Sequence, residues 1–345
     1  MISAISVQEA LSSKSITLVD VRAPIEFKED HIPGAINIPL LNDEERHLVG
    51  CTYKSKGAVE AKKLGLELIA PQLNSKIQSI IKLLKDDKKL TLYCFRGGLR
   101  SNAFATFLDL IDVPVQTISG GYKSYRQLVH SQVHELYPFK LVVLYGYTGC
   151  GKTEILKILE EKGAPMIDLE ELAGHRGSAF GHIGMTPVRS QKYFETLLYS
   201  KIKQFSHQPY VFIEGESRGL GSITLPNTLM MAMKNGEKIW IETPIQYRVQ
   251  RIYDQYFRSS LEAFDPDIFL QPLMIIQKKL GSQLYENLKN SLAQKDYKTF
   301  ISQLLLGYYD KCYFSKSFTD KDFRLSTSVQ EPLYAAHSIL ENFSS

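Results

Sequence analysis

Cysteine is scarce: the chain has only Cys51, Cys94, Cys150 and Cys312, and no two stand at the spacing of a disulfide framework or a Cys-based zinc site. Such a sequence reads as a reduced, cytoplasmic protein in which any special cysteine is special for its reactivity. Long apolar runs are missing too, and none approaches the length needed to cross a membrane. The start, Met1 to Asp20, lacks a basic segment followed by an apolar core and a small-residue cleavage site, so it does not read as a secretory signal. Charge of one sign is nearly absent as a surplus. The 41 basic and 37 acidic side chains leave +4, compatible with a local basic surface but no proof of nucleic-acid binding. There is no internal repeat and no low-complexity segment.

What is present is ordinary globular material. The 345 residues, 44% hydrophobic, 23% charged and 11% aromatic, suffice for about two domains, each with a sizeable core. Short runs rich in Val, Ile and Leu alternate with longer amphipathic stretches, which predicts an α/β class with parallel sheets covered by helices. Strands are expected at Ile16 to Asp20, Leu90 to Tyr93 and Val115 to Ile118, and helices at Glu60 to Leu84 and Ser101 to Leu110. These make a first domain over residues 1–130, with a connecting helix over 122–137 and a second domain over 138–345. In the second, strands are expected at Leu141 to Tyr145, Tyr210 to Glu214 and Lys238 to Glu242, with helices after Lys152 and from Pro187 to Phe205. Beyond Pro244 the pattern is helical until a last strand near Phe323 and a helix ending near Phe343. This extension has the default role of a lid or a substrate-binding face.

The segment Tyr93-Cys94-Phe95-Arg96-Gly97-Gly98-Leu99-Arg100-Ser101 joins a predicted strand to a predicted helix. Backbone N–H groups of a glycine-rich loop and a helix N-terminus converge on the sulfur, where they lower its pKa and bind an oxyanion or a persulfide. Arg96 and Arg100 add positive charge. A buried, inert cysteine is the plain alternative, but two glycines and two arginines within six residues do not serve packing. Upstream stand Asp20-Val21-Arg22, Glu26 and His31-Ile32-Pro33-Gly34-Ala35-Ile36-Asn37-Ile38-Pro39. Together these resemble the rhodanese family over the first third of the chain, and the resemblance makes Cys94 a sulfur carrier as its persulfide. A cysteine phosphatase shares the C-x5-R spacing of Cys94 and Arg100. Against it, Tyr93 stands where such phosphatases have His, and no leaving-group acid is evident. His31 and Pro33 read as structural turn residues.

Gly146-Tyr147-Thr148-Gly149-Cys150-Gly151-Lys152-Thr153 fits G-x-x-x-x-G-K-[ST] between a predicted strand and a predicted helix. Gly146, Gly149 and Gly151 let backbone N–H groups wrap phosphate oxygens, Lys152 neutralises them, and Thr153 can hold magnesium (Mg2+) if it is used. Cys150 is then a small loop residue. Downstream, Glu214-Gly215-Glu216-Ser217-Arg218 lies at a strand end where phosphate-loop proteins place a metal-orienting acid. Glu214 and Glu216 read equally as groups positioning a metal water or a substrate proton and as a solvated strand end; Arg218 reads as an anion ligand. Asn227 to Lys238 has no base-reading signature, so a nucleoside triphosphate is not required. The basic, glycine-rich segment His175-Arg176-Gly177-Ser178-Ala179-Phe180-Gly181 fits a loop that closes over a phosphate or a flipped base and equally an ordinary surface connection, the reading favoured for it alone, with Gln191, Phe194 and Glu195 on a following helix.

Taken together, the cysteine loop, the phosphate loop, His175-Arg176-Gly177-Ser178 and Glu214-Gly215-Glu216-Ser217-Arg218 make the whole chain similar to the tRNA 2-selenouridine synthase family. That resemblance implies conversion of wobble 2-thiouridine to 2-selenouridine in tRNA through an S-geranyl intermediate, with geranyl diphosphate and selenophosphate as substrates and no tightly bound cofactor. It implies Lys152 and the loop amides on the leaving diphosphate, with Arg218 or Arg176 assisting, and Cys94 receiving or delivering selenium as a selenosulfide beside Arg96 and Arg100. It also offers selenophosphate synthetase as a candidate partner. For tRNA, two surfaces are expected: Lys54, Lys56, Lys62 and Lys63, and a helix mixing Tyr247, Arg248, Arg251, Tyr253, Tyr256 and Arg258, basic groups for phosphate and aromatic rings for unpaired bases. Solvated helix faces with a tyrosine stripe in the core are the alternative for each such residue. Two other functions fit the residues, a phosphate-loop kinase or ATPase with a regulatory rhodanese module, and a plain sulfurtransferase.

Overall fold

A computed structural model describes residues 2–84, 88–185, 189–258, 266–314, 323–328 and 331–343. The chain divides into two compact units, Met1–Gln132 and Val133–Ser345. A five-stranded, wholly parallel sheet runs through each.

In the first unit the strands are β1 (Ser3–Ile5), β2 (Ile16–Asp20), β3 (Ile36–Asn37), β4 (Lys89–Tyr93) and β5 (Val115–Ile118), in the order β1-β5-β4-β2-β3. The helices are α1 (Val7–Ser12), α2 (Pro24–Glu29), α3 (Asp43–Lys56), α4 (Ala58–Ile69), α5 (Leu73–Ile81), α6 (Leu99–Asp109) and α7 (Gly121–Val133). Val19, Leu90 and Leu92 from the central strands pack with Ile80, Phe104 and Leu108 from the helices, all fully buried. That is the continuous apolar character of a strand covered on both faces.

Two differences from the periodicity have plain causes. The single helix expected over Glu60 to Leu84 is two, interrupted at the 3-10 turn Ala70–Gln72, because Pro71 has no N–H to continue the ladder. A further helix, α3, precedes them; its first turn is closed by a capping box in which Asn42 Oδ1 accepts from the Glu45 N–H at 2.8 Å and Glu45 Oε2 from the Asn42 N–H at 2.9 Å. The stretch expected to connect the domains is helical as far as Val133, and the division between the units falls at the end of that helix.

The second unit carries β6 (Lys140–Tyr145), β7 (Met166–Ile167), β8 (Tyr210–Glu214), a small antiparallel hairpin of β9 (Gly219–Leu220) and β10 (Ile223–Thr224), then β11 (Glu237–Glu242) and β12 (Leu325–Ser328). The parallel sheet has the order β12-β11-β6-β8-β7. Around it lie α8 (Lys152–Glu161), α9 (Leu169–Ala173), α10 (Gln191–Gln204), α11 (Asn227–Asn235) and α17 (Pro332–Phe343). Ser190 caps α10, and the expected start of that helix at Pro187 lies outside the described residues. The helical extension comprises α12 (Ile245–Tyr253), α13 (Leu270–Leu280), α14 (Ser282–Ala293), α15 (Tyr297–Leu304) and α16 (Asp310–Phe314). Two π-helical segments interrupt it, Asp254–Arg258 and Leu305–Tyr309. The extension has its own core of Phe257, Phe269, Leu273, Leu288, Phe300 and their neighbours, separate from the core beneath the sheet. Among the described residues, no helix is long and apolar enough to cross a membrane.

Both sheets place their chemistry-bearing loops at the carboxyl end of a central strand. Cys94 follows β4. The phosphate loop follows β6, with β8 on one side and β11 on the other, the switch point at which open α/β sheets bind ligands.

Candidate functional site

In the first unit Cys94 is 4% exposed at the end of β4, and its loop wraps the sulfur with donors. The Gly98 N–H and Ser101 Oγ each lie 3.3 Å from Sγ, and the N-terminus of α6 opens beside them. Burial works against the thiolate. Hydrogen bonds from the Ser101 hydroxyl and from backbone N–H groups of Ser101, Gly98 and Arg96 outweigh it and hold the thiol below its ordinary value. Gly97 has to be glycine: its φ is +62°, and a Cβ there would run into the Ile118 carbonyl oxygen. The loop is clamped onto the start of α7 by Tyr122 N–H to Cys94 O and Lys123 N–H to Phe95 O, both 2.9 Å.

The two loop arginines behave differently. The Arg96 side chain is exposed, whereas Arg100 is tied to Glu26 by bonds of 2.7 and 3.4 Å. Burial pushes Glu26 up, but Arg100 and Arg46 more than compensate and keep it a carboxylate. A C-x5-R phosphatase would turn this arginine onto an oxyanion at the cysteine; here it is committed to Glu26. Asp20 and Arg22 form a buried ion pair, and His31 stacks on Phe27.

If the Ser101 hydroxyl holds the thiolate, Ser101→Ala moves the pH midpoint of Cys94 alkylation upward and slows alkylation near neutrality about tenfold or more, since a hydrogen bond to a charged group is worth ~1.5–3 kcal/mol. Peptide mass spectrometry after timed iodoacetamide labelling separates Cys94 from Cys51 and Cys312. An unchanged profile removes Ser101 from the site.

In the second unit the phosphate loop opens α8, with Lys152 Nζ 3.1 Å from the Gly146 carbonyl oxygen. Cys150 is fully buried under the loop. Gly149, at φ +80°, rests on α12; a Cβ there would come within 2.8 Å of Ile252 Cδ1. Arg248 and Arg251 also face this loop, which corrects the expectation that they meet RNA. The Arg248 side chain is 4% exposed; it donates to Thr148 O at 2.9 Å and grips Asp310 with bonds of 3.0 and 2.6 Å. Arg251 bonds Gly149 O at 2.8 Å and Glu154 at 2.9 Å. Both brace the loop, Arg248 from outside the cavity beside it and Arg251 as part of that cavity's lining. Tyr247 remains partly exposed, while Arg258's side chain lies outside the described residues. Of the expected RNA surfaces, Lys54, Lys56, Lys62 and Lys63 stay exposed on α3 and α4.

Glu214 is not a solvated strand end. It is 1% exposed; Oε1 accepts the Glu170 N–H at 3.0 Å, and Oε2 is buried with no hydrogen-bond partner among the described residues. Burial, with the nearby charges of Asp168, Glu170 and Glu216, pushes it well above the carboxylate range. Glu170, which the sequence reading missed, is pushed up to about 7 by burial and then by Glu216; its Oε2 lies 3.4 Å from Thr153 Oγ1. A signal for it existed in the acid run Asp168-Leu169-Glu170-Glu171 at the end of β7, beside β8.

These groups line one cavity of about 1040 Å³. Its lining includes the phosphate loop, Glu170, Glu214, Glu216, Arg176 and Arg251, and also Phe180, Phe257, Phe269, Phe300, Ile301 and Leu304 with Tyr308, Tyr309, Lys279 and Cys312. The segment around Arg176 is thus a wall of the site and not a plain surface connection. The extension supplies the apolar wall. Arg218 is exposed and does not line the cavity, so of the two candidate arginines only Arg176 is brought to the phosphate loop.

A rhodanese-like domain followed by a phosphate-loop α/β domain is the class that these two sites define. The family model for the rhodanese-like domain matches residues 3–128, and that for the tRNA 2-selenouridine synthase AAA domain matches residues 139–333. A tRNA 2-selenouridine synthase of Nitrosomonas europaea is 34% identical over 88% of this chain and 90% of its own, and one of a Sulfurovum species is 35% identical over 86% and 87%. Among solved structures, the chain is similar to the N-terminal domain of a putative ATP/GTP binding protein from Clostridium difficile 630, with 36% identity over 37% of this chain and 98% of that one and a TM-score of 0.36. With both domains matched in order and relatives aligned along nearly their full length, the chain belongs to the tRNA 2-selenouridine synthase family.

Proposed function

We propose that the protein converts 2-thiouridine at the wobble position of tRNA to 2-selenouridine in two stages, geranylation of the sulfur and replacement of the S-geranyl group by selenium. One observation carries the reading: a single cavity joins a phosphate loop to an apolar chamber of phenylalanine, leucine and isoleucine side chains. A nucleoside triphosphate would leave that chamber unfilled. A diphosphate bearing a hydrocarbon chain fills both ends.

In the first stage the thiocarbonyl sulfur attacks C1 of geranyl diphosphate, the C1–O bond breaks with its electron pair leaving on the diphosphate, and the base loses its N3 proton. Lys152, the loop N–H groups and Arg176 stabilise the departing anion. The chamber keeps water from the geranyl carbon. Thr153, Glu170 and Glu214 present only hard oxygen donors, the kind magnesium takes. Among the described residues no group of three or more His, Cys, Asp or Glu is arranged to hold a metal, so Thr153 and the diphosphate oxygens would be its ligands. In the second stage selenium from selenophosphate attacks C2, geranyl thiol leaves, and water completes the release of phosphate. Cys94, in its ring of donors, serves this stage, and the lysines of α3 and α4 offer phosphate contacts to tRNA.

The test weighs a 2-thiouridine anticodon stem-loop by mass spectrometry after incubation with geranyl diphosphate, with and without selenophosphate. A geranyl gain followed by sulfur-to-selenium exchange is expected. Cys94→Ser is expected to keep the geranyl gain and lose the exchange; selenation retained in that variant would take Cys94 out of the mechanism. RNA that binds yet never gains the geranyl mass would overturn the first stage.

A further inference from the structure

The cavity has an internal direction. Arg176, at the phosphate end, lies with its Cζ 5.0 Å from the centre of the Tyr256 ring; Tyr256 meets Phe269 edge-on at 6.1 Å. Phe269 then contacts both Phe180, at 5.9 Å, and Phe300, at 6.3 Å, and those two meet each other at 6.2 Å. The side chains of Arg176, Tyr256, Phe269 and Phe300 therefore form one continuous run of contacts, and all four line the same space. Phe180, Phe269 and Phe300 are each at most 5% exposed and close on one another as a triangle of rings. Behind them the extension's core is filled by Leu273, Leu288 and Leu292, which do not reach the cavity.

A second, independent feature points to the same place. Both π-helical segments among the described residues, Asp254–Arg258 and Leu305–Tyr309, contribute to this wall, the first through Tyr256 and Phe257 and the second through Leu305, Tyr308 and Tyr309. A π segment spends helix regularity to re-aim side chains, and such segments concentrate at ligand sites. Two of them turning rings into one chamber is not what packing alone would require.

We propose that Phe269 and Phe300, backed by Phe180, form the end wall of the apolar chamber and set the length of the prenyl chain that the site accepts. The inference rests on the prenyl diphosphate reading above and deepens it. With the diphosphate fixed at Lys152 and Arg176, the first isoprene unit passes Tyr256 and the second ends against the Phe269–Phe300 pair. A five-carbon chain leaves the end of the chamber unfilled, and a fifteen-carbon chain meets the rings. Because Lys152 fixes the head and the rings fix the end, selectivity comes from the distance between them.

The experiment measures kcat/KM of the full chain for dimethylallyl, geranyl and farnesyl diphosphates with the 2-thiouridine stem-loop, in wild type, Phe300→Ala, Phe269→Ala and the milder Phe300→Leu. Wild type is expected to favour the ten-carbon chain. Opening the end wall is expected to raise the farnesyl-to-geranyl ratio about tenfold or more, within the range by which a hydrophobic pocket discriminates small differences in chain size. Filling the chamber by Leu304→Phe moves preference toward dimethylallyl diphosphate. Leu288→Ala, in the same core but away from the cavity, weakens folding and leaves the ratio unchanged, which separates a gauge from a merely structural role. A ratio unmoved in the Phe300 and Phe269 variants, with wild type alkylating the RNA normally, overturns the gauge and spares the underlying reading. No transfer from any of the three diphosphates by wild type overturns both.

Discussion

Lys152→Ala is expected to lower geranyl transfer to the 2-thiouridine stem-loop by about 10²–10³-fold, the usual loss when one donor to a developing anion is removed. The side chain stands at the head of α8 with its ammonium 3.1 Å from Gly146 O and 3.9 Å from Cys150 Sγ, curled over the loop where phosphate oxygens bind. Two effects add. The leaving diphosphate loses its nearest positive charge, and Glu170, which Lys152 restrains from rising further, becomes more fully protonated. Neither effect unfolds the unit, because the ammonium is only partly buried and a protonated Glu170 carries no charge to strand. The same variant supplied with RNA already carrying the S-geranyl group is expected to exchange it for selenium at the wild-type rate. Lys152→Arg should recover part of the first activity by restoring charge without the same point geometry. Geranylation within threefold of wild type in Lys152→Ala would detach the phosphate loop from this reaction.

The parts of the site that could be read in the sequence are those whose geometry is local. A glycine-rich turn between a strand and a helix makes its own anion cradle from consecutive N–H groups, so Cys94 to Ser101 and Gly146 to Thr153 announce themselves. The apolar chamber gives no such signal. Its walls come from Phe180, from Phe269 and from Phe300, three separate elements whose hydrophobic spacing looks the same whether it fills a core or borders a cavity. Arg248 and Arg251 were open to the opposite error. A basic, aromatic helix has the same composition whether it faces RNA or a phosphate loop, and only the partners Asp310, Glu154, Thr148 O and Gly149 O settle which. Glu214 at a strand end reads equally as a working acid and as a solvated one until α9 is laid across it, and that contact depends on the order of β7 and β8 in the sheet.

In the first unit the largest expected effect is on stability. Asp20 closes β2 with a side chain that is fully buried, and Arg22, 2% exposed, gives it Nε and Nη2 at 2.9 and 2.6 Å. Arg22 also donates to Asp30 O at 2.7 Å and lies 3.8 Å over the Tyr122 ring. Asp20→Ala leaves a guanidinium buried without its counter-charge, a change that costs about 3–5 kcal/mol. Because Asp20 is opposite Tyr93 in the parallel register, the loss falls on the strand that carries Cys94. At 1.4 kcal/mol per factor of ten, amides of β2 and β4 that exchange by global opening should exchange roughly 10²–10⁴-fold faster, read by peptide-resolved hydrogen exchange. Arg22→Met added to Asp20→Ala is expected to return most of that loss, since the stranded charge is then gone and an apolar chain fills its place. What the double variant does not return measures the bond from the Arg22 N–H to Asp20 Oδ1, at 2.9 Å, together with the Arg22 bond to Asp30 O and the ring contact to Tyr122. Exchange at the wild-type rate in Asp20→Ala would mean that Arg22 finds water or another anion on its own, and the pair would then have no hold on the strand beside the cysteine.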